Sequence, residues 1–159
     1  MQLSNCGTAL FVNNIDVSKK FWCDVLGLKI DLDFGKNVIL ESGPTLWEIR
    51  ESHIIPQRLS LENTRNQSYC RFEVYFETED IDAVFSALKQ HNIKFLHELH
   101  EEPWGQRTIR FFDPDNHLIE IGEAMRQFVM RFHNLGYSVK EITLRTSIPE
   151  FQVINLIQS

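Results

Sequence analysis

The sequence predicts an α+β fold in which a strand–helix–three-strand unit occurs twice and is followed by helices. Short runs with apolar residues at every second position alternate with longer runs of helical period. The order of these runs is the same in the first third of the chain as in its middle. Asn14-Ile15-Asp16 and Asp80-Ile81-Asp82 also stand at equivalent places, 66 positions apart. The expected organisation is one paired βαβββ domain over 1–122, with modules at about 7–50 and 71–122, a linker at 51–70, and a helical extension over 123–159. Two such sheets would close side by side into a cup with the helices outside.

Residues 8–12 read as the first strand. Asp16 opens a helix whose apolar face is Val17, Phe21, Trp22, Val25 and Leu26, and Gly27 stops it. Strands follow at about 28–34, 38–42 and 45–50, punctuated by Gly35 and Gly43-Pro44. The polar, aperiodic stretch 51–70 carries Pro56 and no element is assigned to it. In the second unit 72–78 is a strand, and Asp80 caps a helix with Ile81, Val84, Phe85 and Leu88 on one face. Strands at 93–99, 106–112 and 117–122 are separated by Pro103 and by the turn Asp113-Pro114-Asp115-Asn116. Beyond them Met125, Phe128, Val129, Phe132 and Leu135 recur at helical spacing up to Gly136. Ser138 with Glu141, and Ser147 with Glu150, have capping-box spacing, giving three short helices in all.

The bulk composition narrows the function. Of 159 residues 43% are hydrophobic, enough for a core, and the net charge of -6 opposes binding to polyanions, so nucleic acid is an unlikely partner. No apolar run reaches the roughly 18 residues that span a bilayer, and the N-terminus lacks a basic stretch and long apolar core, so a cytoplasmic location and no membrane partner are expected. Cys6, Cys23 and Cys70 form no C-x-x-C pair and are read as reduced thiols. Phosphate-loop, dinucleotide and nucleophile-elbow glycine patterns are absent.

Three segments resemble the vicinal-oxygen-chelate superfamily, which includes glyoxalase I, bleomycin-resistance proteins and extradiol dioxygenases. Residues 112–121 (FDPDNHLIEI) resemble that family's closing turn and strand, with Asn116 in the place of the usual glycine. Residues 16–28 (DVSKKFWCDVLGL) resemble its first helix, and Pro103-Trp104-Gly105-Gln106-Arg107 a segment of its bleomycin-resistance-like branch. The likeness covers about 7–122. It implies a homodimer, a small-molecule ligand and a divalent-metal site at four strand positions, which carry over to Gly7, Glu48, Glu73 and Glu120. Family members usually hold histidine or glutamine where this chain has Gly7 and Glu73.

Strand alternation puts Leu46, Glu48 and Arg50 on one face and Trp47 and Ile49 on the other, and an apolar Trp47 face against the helix would turn Glu48 toward the cup. Glu73 shares a face with Arg71 and Tyr75, and Glu120 lies between Ile119 and Ile121. Three nearby carboxylates need compensation. One solution is a divalent metal, Mn, Mg, Zn or Ni, with the all-oxygen set suiting magnesium, calcium or manganese better than zinc. Glu48, Glu73 and Glu120 would be its ligands, and a displaced Glu120 or Glu73 the catalytic base of a lyase or isomerase. The other solution is neutralisation by Arg71, Arg110 or Arg50. The histidines make no metal-ligand spacing, and His97 and His100, three apart on a strand, should point to opposite faces. Trp104, Gln106, Arg110, Arg71 and Tyr75 are the candidate ligand-binding residues, and Phe11 and Phe34 could line the same pocket.

Residues 136–157 resemble half of a helix-turn-helix, yet the last helix carries no Lys or Arg with which to hold phosphate. Three functions remain open from sequence: a glyoxalase-like metal-dependent lyase or isomerase, a metal-free protein that binds or sequesters a small aromatic or cationic compound, and a ligand-sensing adaptor acting through the tail.

Overall fold

A computed structural model describes residues 7–48 and 73–159. Arg50, His53, Cys70, Arg71 and the linker 51–70 lie outside the described residues, as does Cys6. The chain forms two compact units.

The first unit holds strands β1 (Ala9–Val12), β2 (Ile30–Asp33), β3 (Asn37–Leu40) and β4 (Thr45–Glu48), in the order β1-β4-β3-β2. β1 and β4 are parallel, with Leu10 opposite Leu46, and the other pairs are antiparallel. Leu10, Val12, Val38, Leu40 and Leu46 form the buried layer. Helix α1 (Ile15–Lys19) runs on as a wider, π-type stretch to Val25. Its cap is Asn14, whose side chain accepts from the N–H groups of Asp16 and Val17. The helix thus starts ahead of Asp16, and its buried residues are Ile15, Ser18 and Trp22. Val17, expected on the apolar face, is exposed, because the earlier start and the wider turn rotate the buried stripe.

The turn between the last two strands also belongs to this unit. Asp113 is buried; its carboxylate accepts from the N–H groups of Asp115 and His117, from Trp22 Nε1 at 3.4 Å and from His117 Nδ1 at 2.8 Å. Asp115 accepts from the Asn13 backbone and from Ser18 Oγ. Asn116 takes the left-handed conformation expected of a glycine replacement, with φ of 63°.

The second sheet contains β5 (Val74–Thr78), β6 (Lys94–Glu101), β7 (Arg107–Phe112) and β8 (Leu118–Glu123), in the order β5-β8-β7-β6. Helix α2 (Ile81–Leu88) is capped by Asp80, which accepts from Ala83 N–H at 2.9 Å. Ile81, Leu88, Ile109, Phe111, Ile119 and Ile121 are buried, and Phe85, Phe95 and Phe111 form successive edge-to-face pairs. The chain therefore has the α+β architecture that its repeat predicts.

Helices α3 (Met125–Asn134), α4 (Val139–Thr146) and α5 (Glu150–Gln158) belong to the second unit. Their core is Phe128, Val129, Phe132, Ile142, Ile148 and Val153. Ser138 and Glu141 form the expected capping box. The second expected box does not form: Ser147 ends α4 in the left-handed conformation, and Pro149 precedes α5. A residue whose backbone closes one helix cannot also cap the next. Leu135, assigned to the apolar face of α3, is exposed at the point where the helix ends. Among the described residues no helix is long and apolar enough to cross a membrane.

Candidate ligand face on the second sheet

Alternation along β5, β7 and β8 separates an apolar layer from a polar face. Val74 and Phe76 of β5 alternate with Tyr75 and Glu77, and Ile109 and Phe111 of β7 with Thr108 and Arg110. Ile119 and Ile121 of β8 alternate with Glu120 and Gly122.

Four of the candidate residues meet on the polar face in two hydrogen-bonded groups. Trp104 Nε1 donates to Gln106 Oε1 at 3.2 Å, and Gln106 Nε2 donates to the Tyr75 hydroxyl at 3.0 Å and to Glu123 O at 2.9 Å. Tyr75 in turn donates to Glu77 at 3.0 Å. Both rings stay open to solvent, Tyr75 at 45% and Trp104 at 41% exposure. Gly122 makes room for this chain, since a Cβ there would lie 2.7 Å from Gln106 Nε2. Burial pushes the Tyr75 hydroxyl up to about 12, with Glu77 and the charge of Glu120 adding to the rise and Gln106 opposing it.

Arg110 forms the second group. Its guanidinium pairs with Glu102 at 2.5 Å, with Glu120, and with His97 Nε2 at 3.2 Å. Thr108 also donates to Glu102 at 3.2 Å. Burial pushes the Glu102 carboxyl upward, but the Arg110 hydrogen bond and charge outweigh it and hold the group below its usual range. Sequence reasoning offered Arg110 as a possible partner of the glutamates and missed Glu102. Glu102 precedes Pro103 in the turn, and its one sequence signal is a carboxylate placed where the hairpin folds back on Thr108 and Arg110.

Glu48 is placed differently from expectation. It shares its face with Leu46, which is wholly buried, so it lies on the α1 side and not on the open side. Its carboxylate accepts from Ile15 N–H at 2.8 Å and pairs with Lys36 at 2.7 Å. Trp47 takes the opposite side and packs edge-on against Phe11 at 6.0 Å. The reason is aliphatic packing: Leu46 lies beside Leu10 in the register, and that layer claims the helix side. Phe34 is 67% exposed. His97 and His100, expected on opposite faces, meet edge to face at 5.5 Å. Alternation nonetheless holds along β6, with Phe95, His97 and Leu99 partly buried and Leu96, Glu98 and His100 exposed.

The metal site implied by resemblance would draw on Gly7, Glu48, Glu73 and Glu120. Gly7 offers no side-chain donor. Glu48 is engaged by Lys36 and a helix N–H, Glu120 is engaged by Arg110, and Glu73 is exposed just ahead of β5. Among the described residues no group of three or more His, Cys, Asp or Glu could hold a metal ion.

The sequence model of the Glyoxalase-like domain matches residues 6–126. The chain belongs to the glyoxalase-like family. A protein of unknown function from Agrobacterium tumefaciens str. C58 has a similar structure, with a TM-score of 0.63 and 36% identity over 79% of this chain and 97% of that one. The uncharacterized protein YaeR of Escherichia coli K12 is 28% identical over 72% of this chain and 92% of its own length. A lactoylglutathione lyase from Agrobacterium tumefaciens has a TM-score of 0.55 at 22% identity, covering 76% of this chain and 93% of its own, a likeness of fold. Residues 127–159 of this glyoxalase-like protein, most of α3 and all of α4 and α5, lie beyond the matched domain.

Proposed function

We propose that this glyoxalase-like protein binds a small aromatic cation on the polar face of its second sheet, using its own side chains and no metal. The observation that supports this reading is the Trp104–Gln106–Tyr75 chain: two solvent-open rings fixed by hydrogen bonds to one amide. Rings already held in place lose little freedom when a flat ligand stacks on them. The charge of the face supports a cation. Glu102 and Glu120 share the guanidinium of Arg110, and Glu77 accepts from the Tyr75 hydroxyl. A cation over an indole or phenol ring gains roughly 0.5–2 kcal/mol from the ring electrons, and nearby carboxylates add to it.

A metal-dependent lyase or isomerase would need Glu120 drawn out of its ion pair with Arg110, and Glu48 away from Lys36 and the Ile15 N–H. The binding reading asks for no such rearrangement.

The test is a fluorescence titration with N-methylquinolinium, an aromatic cation, and with 2-naphthoate, an aromatic anion of similar size. The cation should quench tryptophan emission saturably, and Trp104→Ala should weaken it at least tenfold. Preference for the anion, or equal binding of the cation by Trp104→Ala, would overturn the proposal.

A further inference from the structure

The helices outside the matched domain are tied to the turn that presents Trp104 and Gln106. That turn is a tight hairpin closed by Glu102 N–H to Gln106 O and Gly105 N–H to Glu102 O, each at 2.8 Å. Its Gly105 carbonyl accepts from Arg131 Nη2 of α3 at 2.5 Å. The same guanidinium reaches Glu123 Oε2 at 3.1 Å and Glu101 Oε2 at 3.1 Å. Arg145 of α4 holds the other Glu101 oxygen at 2.8 Å. Both guanidiniums lie over the Phe132 ring, at 4.9 and 4.8 Å from its centre. Gly105, with φ of +95°, lets that ring close on the turn: a Cβ there would lie 2.3 Å from Phe132 Cζ.

Glu123 joins this clamp to the ligand face. Its carboxylate takes Arg131 and Arg107, while its backbone carbonyl takes Gln106, the amide that holds both Trp104 and Tyr75. We propose that Arg131 and Phe132 are positioning residues: the appended helices set the orientation of the Trp104–Gln106 turn and hold the aromatic face ready for its ligand. Neither residue reaches the face itself. They act through Gly105 O and Glu123, so the domain's ligand turn depends on residues that lie beyond the domain. The part of this inference that concerns affinity rests on the ligand reading above; the part that concerns the turn does not.

The experiment is fluorine NMR of the full chain labelled with 5-fluorotryptophan. The three tryptophans give three resonances, and Trp104→Phe identifies one of them. Arg131→Met should shift or broaden the Trp104 resonance and leave those of Trp22 and Trp47 unchanged. Arg131→Lys, which keeps the charge but has one ammonium in place of the fork, should give an intermediate effect. Leu144→Gln, on the exposed side of α4, should move none of the three. If Arg131→Met fails to fold, Phe132→Leu makes the same test from the ring that both guanidiniums cover.

The affinity for N-methylquinolinium should fall about fivefold or more in Arg131→Met, through loss of preorganisation. An unmoved Trp104 resonance in a folded variant overturns the positioning role, whatever the affinity. A moved resonance in a protein that does not bind the probe upholds the positioning role and defeats the ligand reading instead.

Discussion

Glu123 is buried to 3% exposure and accepts from two guanidiniums, each a quarter exposed. Burial alone would raise its carboxyl; Arg107 and Arg131 reverse that and hold it below the ordinary value of 4.5. Its folded pKa therefore lies below its unfolded one. The stabilisation is complete above pH 4.5 and is lost as the pH falls through the folded value. Urea denaturation across the acid range should show this, and Glu123→Gln should flatten that acid limb. At neutral pH the same variant should lose about 2 kcal/mol, less than the about 3–5 kcal/mol of fully buried pairs because the guanidiniums retain some water. Tyr75 gives a second check at this scale. Its phenol should ionise only near pH 12, so the wild type and Tyr75→Phe should gain the same tyrosinate absorbance at pH values where an ordinary tyrosine, near 10, already titrates.

At the scale of elements, local signals worked where one residue's backbone chemistry decides the outcome. Asp80 and Ser138 cap the helices that their sequences announce, and Asn116 makes the left-handed turn. Ser138→Ala should cost about 1 kcal/mol by loss of the cap. Asn116→Ala should cost about 1 kcal/mol, whereas Asn116→Gly should be nearly neutral. Thermal or urea denaturation reads both. Signals failed where two elements compete for one residue, as at Ser147, or where neighbours decide which face is buried, as for Glu48 and Val17. A strand of four residues such as β4 alternates correctly in either orientation; which side meets the helix depends on the strands beside it.

For the whole molecule, the resemblance leads to the expectation of a homodimer, and the first sheet offers an edge suited to one. Among the described residues β2 is an edge strand with every residue exposed, and Ile30, Leu32 and Phe34 stand open at 39%, 47% and 67%. Apolar side chains on an unpaired edge invite a second chain. Sedimentation should show a dimer that Leu32→Glu/Phe34→Glu dissociates; a wild-type monomer at all concentrations overturns that expectation. Thermal unfolding with and without manganese, magnesium, zinc or nickel should show no specific stabilisation. A rise in Tm that disappears in Glu120→Gln would restore the metal reading.

The sequence by itself determined the duplicated unit, the order and approximate limits of eight strands, the helix caps at Asp80 and Ser138, and the family likeness. Periodicity, capping and turn chemistry are local, and each is written within a few residues. It also picked out Trp104, Gln106, Tyr75 and Arg110 as ligand candidates. Only the tertiary structure showed that Arg110 pairs with Glu102 and Glu120, because the three come from different segments and meet only when the sheet forms. It alone decided that α3 and α4 grip the turn at Gly105: Phe132 follows the helical period, but that period does not say which turn its ring and the Arg131 guanidinium meet.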